Sequence, residues 1–422
     1  MAITTPTLSI KDLKTLAIIP VCALCISLSV LVLPIATFGY FRPALEQEFG
    51  WSSTALAGAY TFEMLLIMFT LPIAGRMADR FGARRVALIS TALYALAIAS
   101  VGLIGPWLPL FYITYGLIAI AGAGMSQVTF TRVITLWFDK NRALALGLAL
   151  TGTGLGVAVL PLITQASIDQ YGWRAAFFII AGLVAFVTLP LIYFFIHEPK
   201  AHSASDTNSA SVNQTASQSA SFSLSLSEAM THRVFWQMVA AFALLGVVVG
   251  GITPNLSLLL SDRGISLIEV AKFQFFIGTA SIIGRVIGGF LMDRVHAPYI
   301  GATFAVMGAC SLLLFVHIDT FTAFAIGVAL LFGASYGAEG DLVSFLSSRY
   351  FGHRAFAEIY GWQVCAYLAG ASVAPLAFAF LEDSGFTANT LIYIAAIGFF
   401  ASALIVGLLG PYSITRNNYS TK

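Results

Sequence analysis

An all-α membrane protein, with twelve transmembrane helices in two pseudo-symmetric six-helix bundles, is the fold class this sequence predicts. Three observations carry it. Of 422 residues, 59% are hydrophobic and only 9% are charged, with a mean hydropathy of +0.89. Apolar runs long enough to cross a ~30 Å hydrocarbon core, about 20 residues each, recur along the chain. Six such runs precede a polar stretch and six follow it. A soluble domain carries about 25% charge, so the composition excludes a water-solvated surface and implies a lipid bilayer as solvent. The 37 glycines and 34 phenylalanines suit helices that pack closely and face lipid.

The runs follow in order. A short polar N-terminus with Lys11 and Lys14 leads into Thr15–Phe38, then Ser53–Ala74, Val86–Gly105, Leu108–Phe130, Ala143–Gln165 and Ala175–Ile196. The second six are Phe235–Leu260, Phe273–Met292, Tyr299–Val316, Phe321–Phe345, Phe356–Leu381 and Thr390–Leu409. This gives an N-terminal bundle over 1–196, a cytoplasmic linker over 197–233 and a C-terminal bundle over 234–422. Ser, Ala, Asn and Gln dominate the linker, which lacks the residues of a core and reads as a flexible tether. The first run is too long for the apolar region of a cleaved signal.

Charge sets the expected orientation. With the N-terminus inside, fifteen Lys and Arg fall on the inner side against four on the outer, Arg42, Arg174, Arg263 and Lys272. Arg132 and Arg285 are left within spans. The positive-inside rule then puts both termini in the cytoplasm, and the expected location is a bacterial inner (plasma) membrane. The net charge of +2 implies no nucleic-acid partner. Four cysteines suggest no disulfide framework, and Cys22 and Cys25, spaced as CxxC, read as helix filler. No metal or cofactor is implied, and the chain is expected to be monomeric.

The halves repeat. Gly75-Arg76-Met77-Ala78-Asp79-Arg80 after the second run and Gly289-Phe290-Leu291-Met292-Asp293-Arg294 after the eighth both read G-x-x-x-D-R, 214 positions apart (289 minus 75). Pro161 and Pro375 keep the same offset, and Arg142-Ala143 and Arg354-Ala355 form a further echo. A duplicated six-helix unit fits this pattern.

The segment from Gly75 to Arg85, including Asp79, Arg80 and Arg84, resembles the loop signature of the major facilitator superfamily, G-x-x-x-D-R-x-G-x-R-R. The resemblance extends over the whole chain and implies a transporter working by alternating access. Phe38-Gly39-Tyr40-Phe41, Phe49-Gly50-Trp51-Ser52 and the run Gly152-Thr153-Gly154-Leu155-Gly156 are similar to monocarboxylate transporters and the oxalate–formate antiporter group. By that resemblance Arg285 is the arginine that meets the substrate anion. The chain departs from the group at Ser281, where an Asp often stands, and in the eleventh run, which has no Lys.

Charges inside apolar spans cost about 2.5–3.5 kcal/mol each at the centre on insertion scales, so they mark function. Arg285 lies eight residues before Asp293, roughly 12 Å deep at 1.5 Å per residue. Its planar fork can orient a carboxylate through two hydrogen bonds; the alternative is a permanent pair with Glu339 or Asp341. Tyr336, one turn before Glu339, can donate to a carboxylate or pack as an aromatic between helices. Glu339 and Asp341 stand two residues apart and so face different directions on one helix. Glu63, near the middle of the second run, is a lone carboxyl that is costly to ionise away from water. Glu63 and Glu339, with Asp341, are the candidate proton carriers, and Glu63 has the alternative of a neutral acid bonded to a neighbouring helix. Gln127 is a candidate for contact with a polar substrate. Arg132 reads first as a structural arginine near the inner gate. Gly75, Asp79, Arg80, Arg84, Asp293 and Arg294 form the expected inner gate, where each Asp would meet the positive end of a helix from the opposite half.

The function expected is secondary active transport of a small organic anion, monocarboxylate-type and either aromatic or a dicarboxylate in its variants, by proton-coupled symport. The alternative is efflux of a drug or metabolite by proton antiport, for which a deep arginine is a poor fit. No G-x-x-x-x-G-K-[ST] phosphate loop is present, which points to an ion gradient as energy source. No Ser–His arrangement or metal spacing occurs in the spans, so an enzyme is not expected.

Overall fold

The computed structural model describes residues 10–138, 142–197, 224–352 and 355–412. Among these residues it is helical throughout, with no strand. The N-terminal half comprises α1 (Ile10–Ser27), α2 (Val32–Phe49), α3 (Ser53–Phe81), α4 (Ala83–Val101), α5 (Leu108–Gly122), α6 (Gln127–Trp137), α7 (Arg142–Leu183) and α8 (Leu189–Phe195), the last two joined by a π-helical turn at Val184–Thr188. The C-terminal half comprises α9 (Leu226–Thr231), α10 (Arg233–Ile252), α11 (Leu256–Ser261), α12 (Leu267–Met292), α13 (Ala297–Phe315), α14 (Ala323–Phe351), α15 (Phe356–Asp383) and α16 (Ala388–Gly407). Among the described residues, eleven segments are long and apolar enough to cross a membrane. One of them, Ala145–Phe195, has 51 residues, about 77 Å of helix, and is broken at Gly172 by a φ of +81°. At more than twice the ~30 Å core, it fits as two crossings rather than one.

Helices outrun the apolar windows that announced them. The first expected span ended at Phe38, yet α2 continues to Phe49, where Gly50 caps it with φ +67°. The second expected span ended at Ala74, yet α3 continues to Phe81 and turns at Gly82 with φ +91°. The segment from Gly75 to Arg80 is therefore the last turns of a helix rather than a loop. Hydropathy ends where side chains turn polar, whereas a helix ends where its backbone bonds lose partners.

Two expected single spans are broken instead. Leu28–Leu31 separates α1 from α2, and Ala123–Ser126 separates α5 from α6. The two breaks meet, because Val30 N donates to Met125 O at 3.2 Å. Non-helical backbone at membrane depth persists only where protein or a cavity satisfies it, and here each break helps to satisfy the other.

The linker expected over 197–233 lies outside the described residues from 198 to 223. Its last part is not a loose tether. Leu224 is buried and its N–H donates to Phe351 O at 2.9 Å, and Ser225 and Glu228 form a capping box that starts α9.

The two halves touch closely at mid-helix. A Cβ on Gly154 of α7 would stand 2.6 Å from Ser281 Oγ and 2.8 Å from Gly278 O of α12. The absence of a side chain lets these backbones approach. On the other faces of the same glycine run, Gly152 and Gly156 pack against the backbone of Ala23 and Ser27 in α1.

Candidate functional site

Close packing of α12 on α14 places the buried charges. A Cβ at Gly337 would fall 1.9 Å from Ser281 O, and one at Gly284 would fall 2.2 Å from Ala334 O. About one turn further along lie Arg285 and Asp341. Arg285 Nε is 3.6 Å from Asp341 Oδ2, with the side chains 16% and 33% exposed. The guanidinium lies along α14, since a Cβ on Gly340 would meet Arg285 Nη2 at 3.4 Å. This is one long contact instead of the paired hydrogen bonds that the two groups can form. Arg285 Nη1 is buried without a hydrogen-bond partner. The resident acid beside Arg285 is thus Asp341, and part of the arginine's donor capacity remains unused.

Two tyrosines lie in the electrostatic field of the pair. Tyr336 is half-buried and lies in the electrostatic field of Arg285 and Glu339. Tyr360 of α15 feels Asp341 and Arg285. Tyr367, two turns on, feels Tyr336, Glu339 and Tyr60 of the opposite half. Tyr60 in turn is near Glu63 and Tyr115, and its ring centroid lies 5.0 Å from that of Phe38. Electrostatic influence thus runs between Glu63 in the N-terminal half and Arg285 in the C-terminal half through these phenols. Sequence reading singled out only Tyr336 among them; Tyr60, Tyr360 and Tyr367 sit in apolar runs where an aromatic looks like filler.

Both buried glutamates have carboxyl oxygens without a hydrogen bond among the described residues. Glu63 is 1% exposed and neither carboxyl oxygen has a hydrogen bond to a described residue. Glu339 is buried, with Oε1 3.2 Å from Ser335 Oγ and Oε2 unpartnered. Ser335 also donates to Phe304 O at 2.7 Å. Gln127 opens α6 at the break in its span, is half-buried, and forms no hydrogen bond with another described side chain.

One end of the bundle is tied across the halves. Arg42, 3% exposed, donates to Glu382 at 2.8 Å, to Glu46 at 2.9 Å and to Asn255 at 3.2 Å, and reaches Ser53. Thr54 bonds Asp383, Tyr40 OH donates to Gln274 at 2.9 Å, and Ser257 Oγ donates to Gly39 O at 2.7 Å. Deeper, Thr61 Oγ1 donates to Ser372 O at 2.8 Å. Beside this network burial raises the Asp262 carboxyl above the usual carboxylate range, with Arg42 acting against it. Sequence analysis counted Arg42 only as an outer-side charge, because the apolar run closed at Phe38 and left it in an apparent loop.

At the opposite end, hydrogen bonds and ion pairs between described residues stay within each half. Asp79 pairs with Arg132 of its own half at 2.9 Å, and Arg132 also reaches Ala78 O. Arg84 donates to Tyr193 O at 2.6 Å. Arg80 lies over Phe81 and Arg294 over Phe290. Asp293 forms the C-cap of α12 and makes no ion pair among the described residues. In the state shown, then, neither Asp79 nor Asp293 bridges the halves through a described residue.

The family model described as Major Facilitator Superfamily matches residues 24–375. The chain belongs to that superfamily. It is a multi-pass membrane transport protein, as the repeat and the loop signature implied. Similar proteins of this class include the "Probable sulfoacetate transporter SauU" of Cupriavidus necator, 24% identical over 70% of each chain. The "Cis,cis-muconate transport protein" of Acinetobacter baylyi is 23% identical over 82% of this chain and 83% of its own. "Monocarboxylate transporter 4" of Rattus norvegicus is 25% identical over 34% of this chain and 30% of its own. Among solved structures, a bacterial homologue of the human lysosomal transporter Spinster, titled as inward-facing and occupied, shares the fold with a TM-score of 0.69. It is 16% identical and the match covers 96% of this chain and 97% of that one.

Proposed function

We propose that this superfamily member is a secondary transporter of small organic anions, carrying a carboxylate on Arg285 by alternating access with proton symport. One observation carries the reading: a deep guanidinium held by a single 3.6 Å contact to Asp341, with Nη1 unpartnered and tyrosines around it. A substrate carboxylate can take up the unused donors and displace Asp341 from a contact far weaker than a paired fork. Tyr336 and Tyr360 supply phenol donors and flat faces beside it. Relatives named for sulfoacetate, muconate and monocarboxylates support an organic-acid cargo.

With the Arg42 end taken as the outer side, the contacts describe an outward-closed, inward-open carrier. The positive-inside count supports that orientation. Binding from the cytoplasm would then reach Arg285 through the untied end; Asp341 beside it is one-third exposed.

Glu63 and Glu339 serve as proton carriers in this reading. The single hydroxyl proton of Ser335 goes to Phe304 O at 2.7 Å, so its 3.2 Å contact with Glu339 is filled when the carboxyl brings a proton of its own. In proteoliposomes, Glu63→Gln or Glu339→Gln is expected to abolish accumulation driven by a pH gradient while leaving substrate exchange. If both variants still concentrate substrate, neither acid is the carrier and uncoupled exchange replaces symport.

The Asp79–Arg132 pair belongs to the inward-open state and opens to solvent on its acidic side, Asp79 at 70% exposed and Arg132 at 28%. Such a pair stabilises by about 0–1 kcal/mol, so Asp79→Asn should leave this state folded. Its larger effect falls on the opposite state, where Asp79 would meet a helix end worth about 0.3–2 kcal/mol. The ratio of inward-open to inward-closed carrier should therefore rise by about 2- to 30-fold in Asp79→Asn, read as faster cysteine labelling from the cytoplasm in the inner vestibule. Unchanged labelling with normal transport would reduce Asp79 to a bystander.

A further inference from the structure

We propose that the N-terminal half carries a binding site for an anionic phospholipid, with its acyl chain along α4 and its headgroup on Arg80, Arg84 and Arg85. The site is independent of the substrate reading above. A groove of about 760 Å³ opens between α3, α4 and α5, lined almost wholly by apolar side chains, with Arg85 among the residues at one end. Its wall includes Ile89, Leu93 and Leu96, which are 63%, 51% and 68% exposed on the protein surface. Between Arg85 and Ser100, both in the lining, α4 rises through fifteen residues, about 22 Å. That exceeds one leaflet of a ~30 Å hydrocarbon core, so the groove is long enough to hold an acyl chain end to end.

A second pocket of about 710 Å³ adjoins it, sharing Phe81 and Arg85 and adding Arg80, Arg84 and Tyr193. Three arginines face one acid there, and that acid, Asp79, is already paired with Arg132. Arg84 is braced on Tyr193 O at 2.6 Å, while Arg80 and Arg85 make no ion pair among the described residues. An apolar slot running into a pocket of surplus positive charge matches a molecule with a long hydrocarbon chain and a phosphate at its end. Free phosphate would leave the groove empty, and a zwitterionic lipid would carry its own cation into the arginine cluster. The occupant is therefore a lipid with net negative charge, seated against the turn that carries Asp79.

The test uses delipidated full-length protein in detergent and native mass spectrometry. Titration is with phosphatidylglycerol, with phosphatidylcholine of the same chains, and with inorganic phosphate as competitor. Phosphatidylglycerol should bind at least about five-fold tighter than phosphatidylcholine, the preference one basic residue near an anionic headgroup supplies. Arg85→Gln should remove about five-fold of that preference, and Leu93→Trp, which fills the groove from its exposed wall, should weaken both lipids alike. Equal affinity for the two lipids in the unaltered protein would overturn the proposal. So would displacement of phosphatidylglycerol by phosphate alone, or unchanged binding in both variants.

Discussion

Arg285→Lys is expected to cut transport of a carboxylate substrate by about 10- to 100-fold at subsaturating concentration. The estimate takes hydrogen bonds to a charged group as worth about 1.5–3 kcal/mol. A lysine keeps the charge but presents one compact ammonium where the arginine offers a planar fork. It would also leave Asp341 without the Nε donor that now stands 3.6 Å away. Uptake into proteoliposomes, normalised to reconstituted protein, checks the result. Undiminished uptake in the lysine variant would remove Arg285 from the substrate site.

The second large effect falls on the tied end. Arg42→Ala takes a nearly buried guanidinium from between Glu382, Glu46 and Asn255 and leaves their oxygens without it. Removing one member of a buried pair costs about 3–5 kcal/mol, and the share carried by Glu382 and Asn255 falls on the closed state alone, since Glu46 lies on the same helix as Arg42. The expected outcome is a carrier shifted toward opening on that side. A Ser257→Cys reporter suits the measurement, since Ser257 is buried beneath the closure against Gly39. It requires a background lacking Cys22, Cys25, Cys310 and Cys365. Labelling from outside should rise at least ten-fold on adding Arg42→Ala. An unchanged rate would show that the backbone contacts at Gly39 and Gly154 hold the closure without the ion pairs.

The fold was legible because its signals are redundant. Each span is announced by some twenty apolar residues, and the two halves announce each other through Gly75–Arg80 and Gly289–Arg294. The breaks at Leu28–Leu31 and Ala123–Ser126 were not legible. No charge marks them, and Pro34 in the first turn of α2 and Gly124 in the second break are weak signals inside apolar runs. The breaks persist through a tertiary hydrogen bond, Val30 to Met125, that no local pattern encodes. At the site, rarity was the signal: a charge in an apolar run costs enough to stand out, which is why Arg285, Glu63, Glu339 and Asp341 could be named. Which acid would stand beside Arg285 depended on the rotation of α12 against α14, set by Gly337 and Ser281 packing across helices. Tyr60, Tyr360 and Tyr367 escaped because an aromatic in a membrane helix is ordinary. Arg42 and Glu382 escaped because hydropathy ended the helices before reaching them.

The Arg285–Asp341 contact bears on the half of the cycle in which no cargo is aboard. A lone guanidinium at that depth would be an unbalanced charge whenever the cavity emptied, and occluding it would carry the full desolvation penalty of the ion. Asp341 supplies an internal counter-charge that moves with the same half, so the vacant carrier presents a neutral pair when it swings back. A carrier able to return empty can run net flux in one direction, whereas one stranded without its anion is confined to swapping one molecule for another. Removing the counter-charge by Asp341→Asn would then slow the unloaded return more than the loaded stroke.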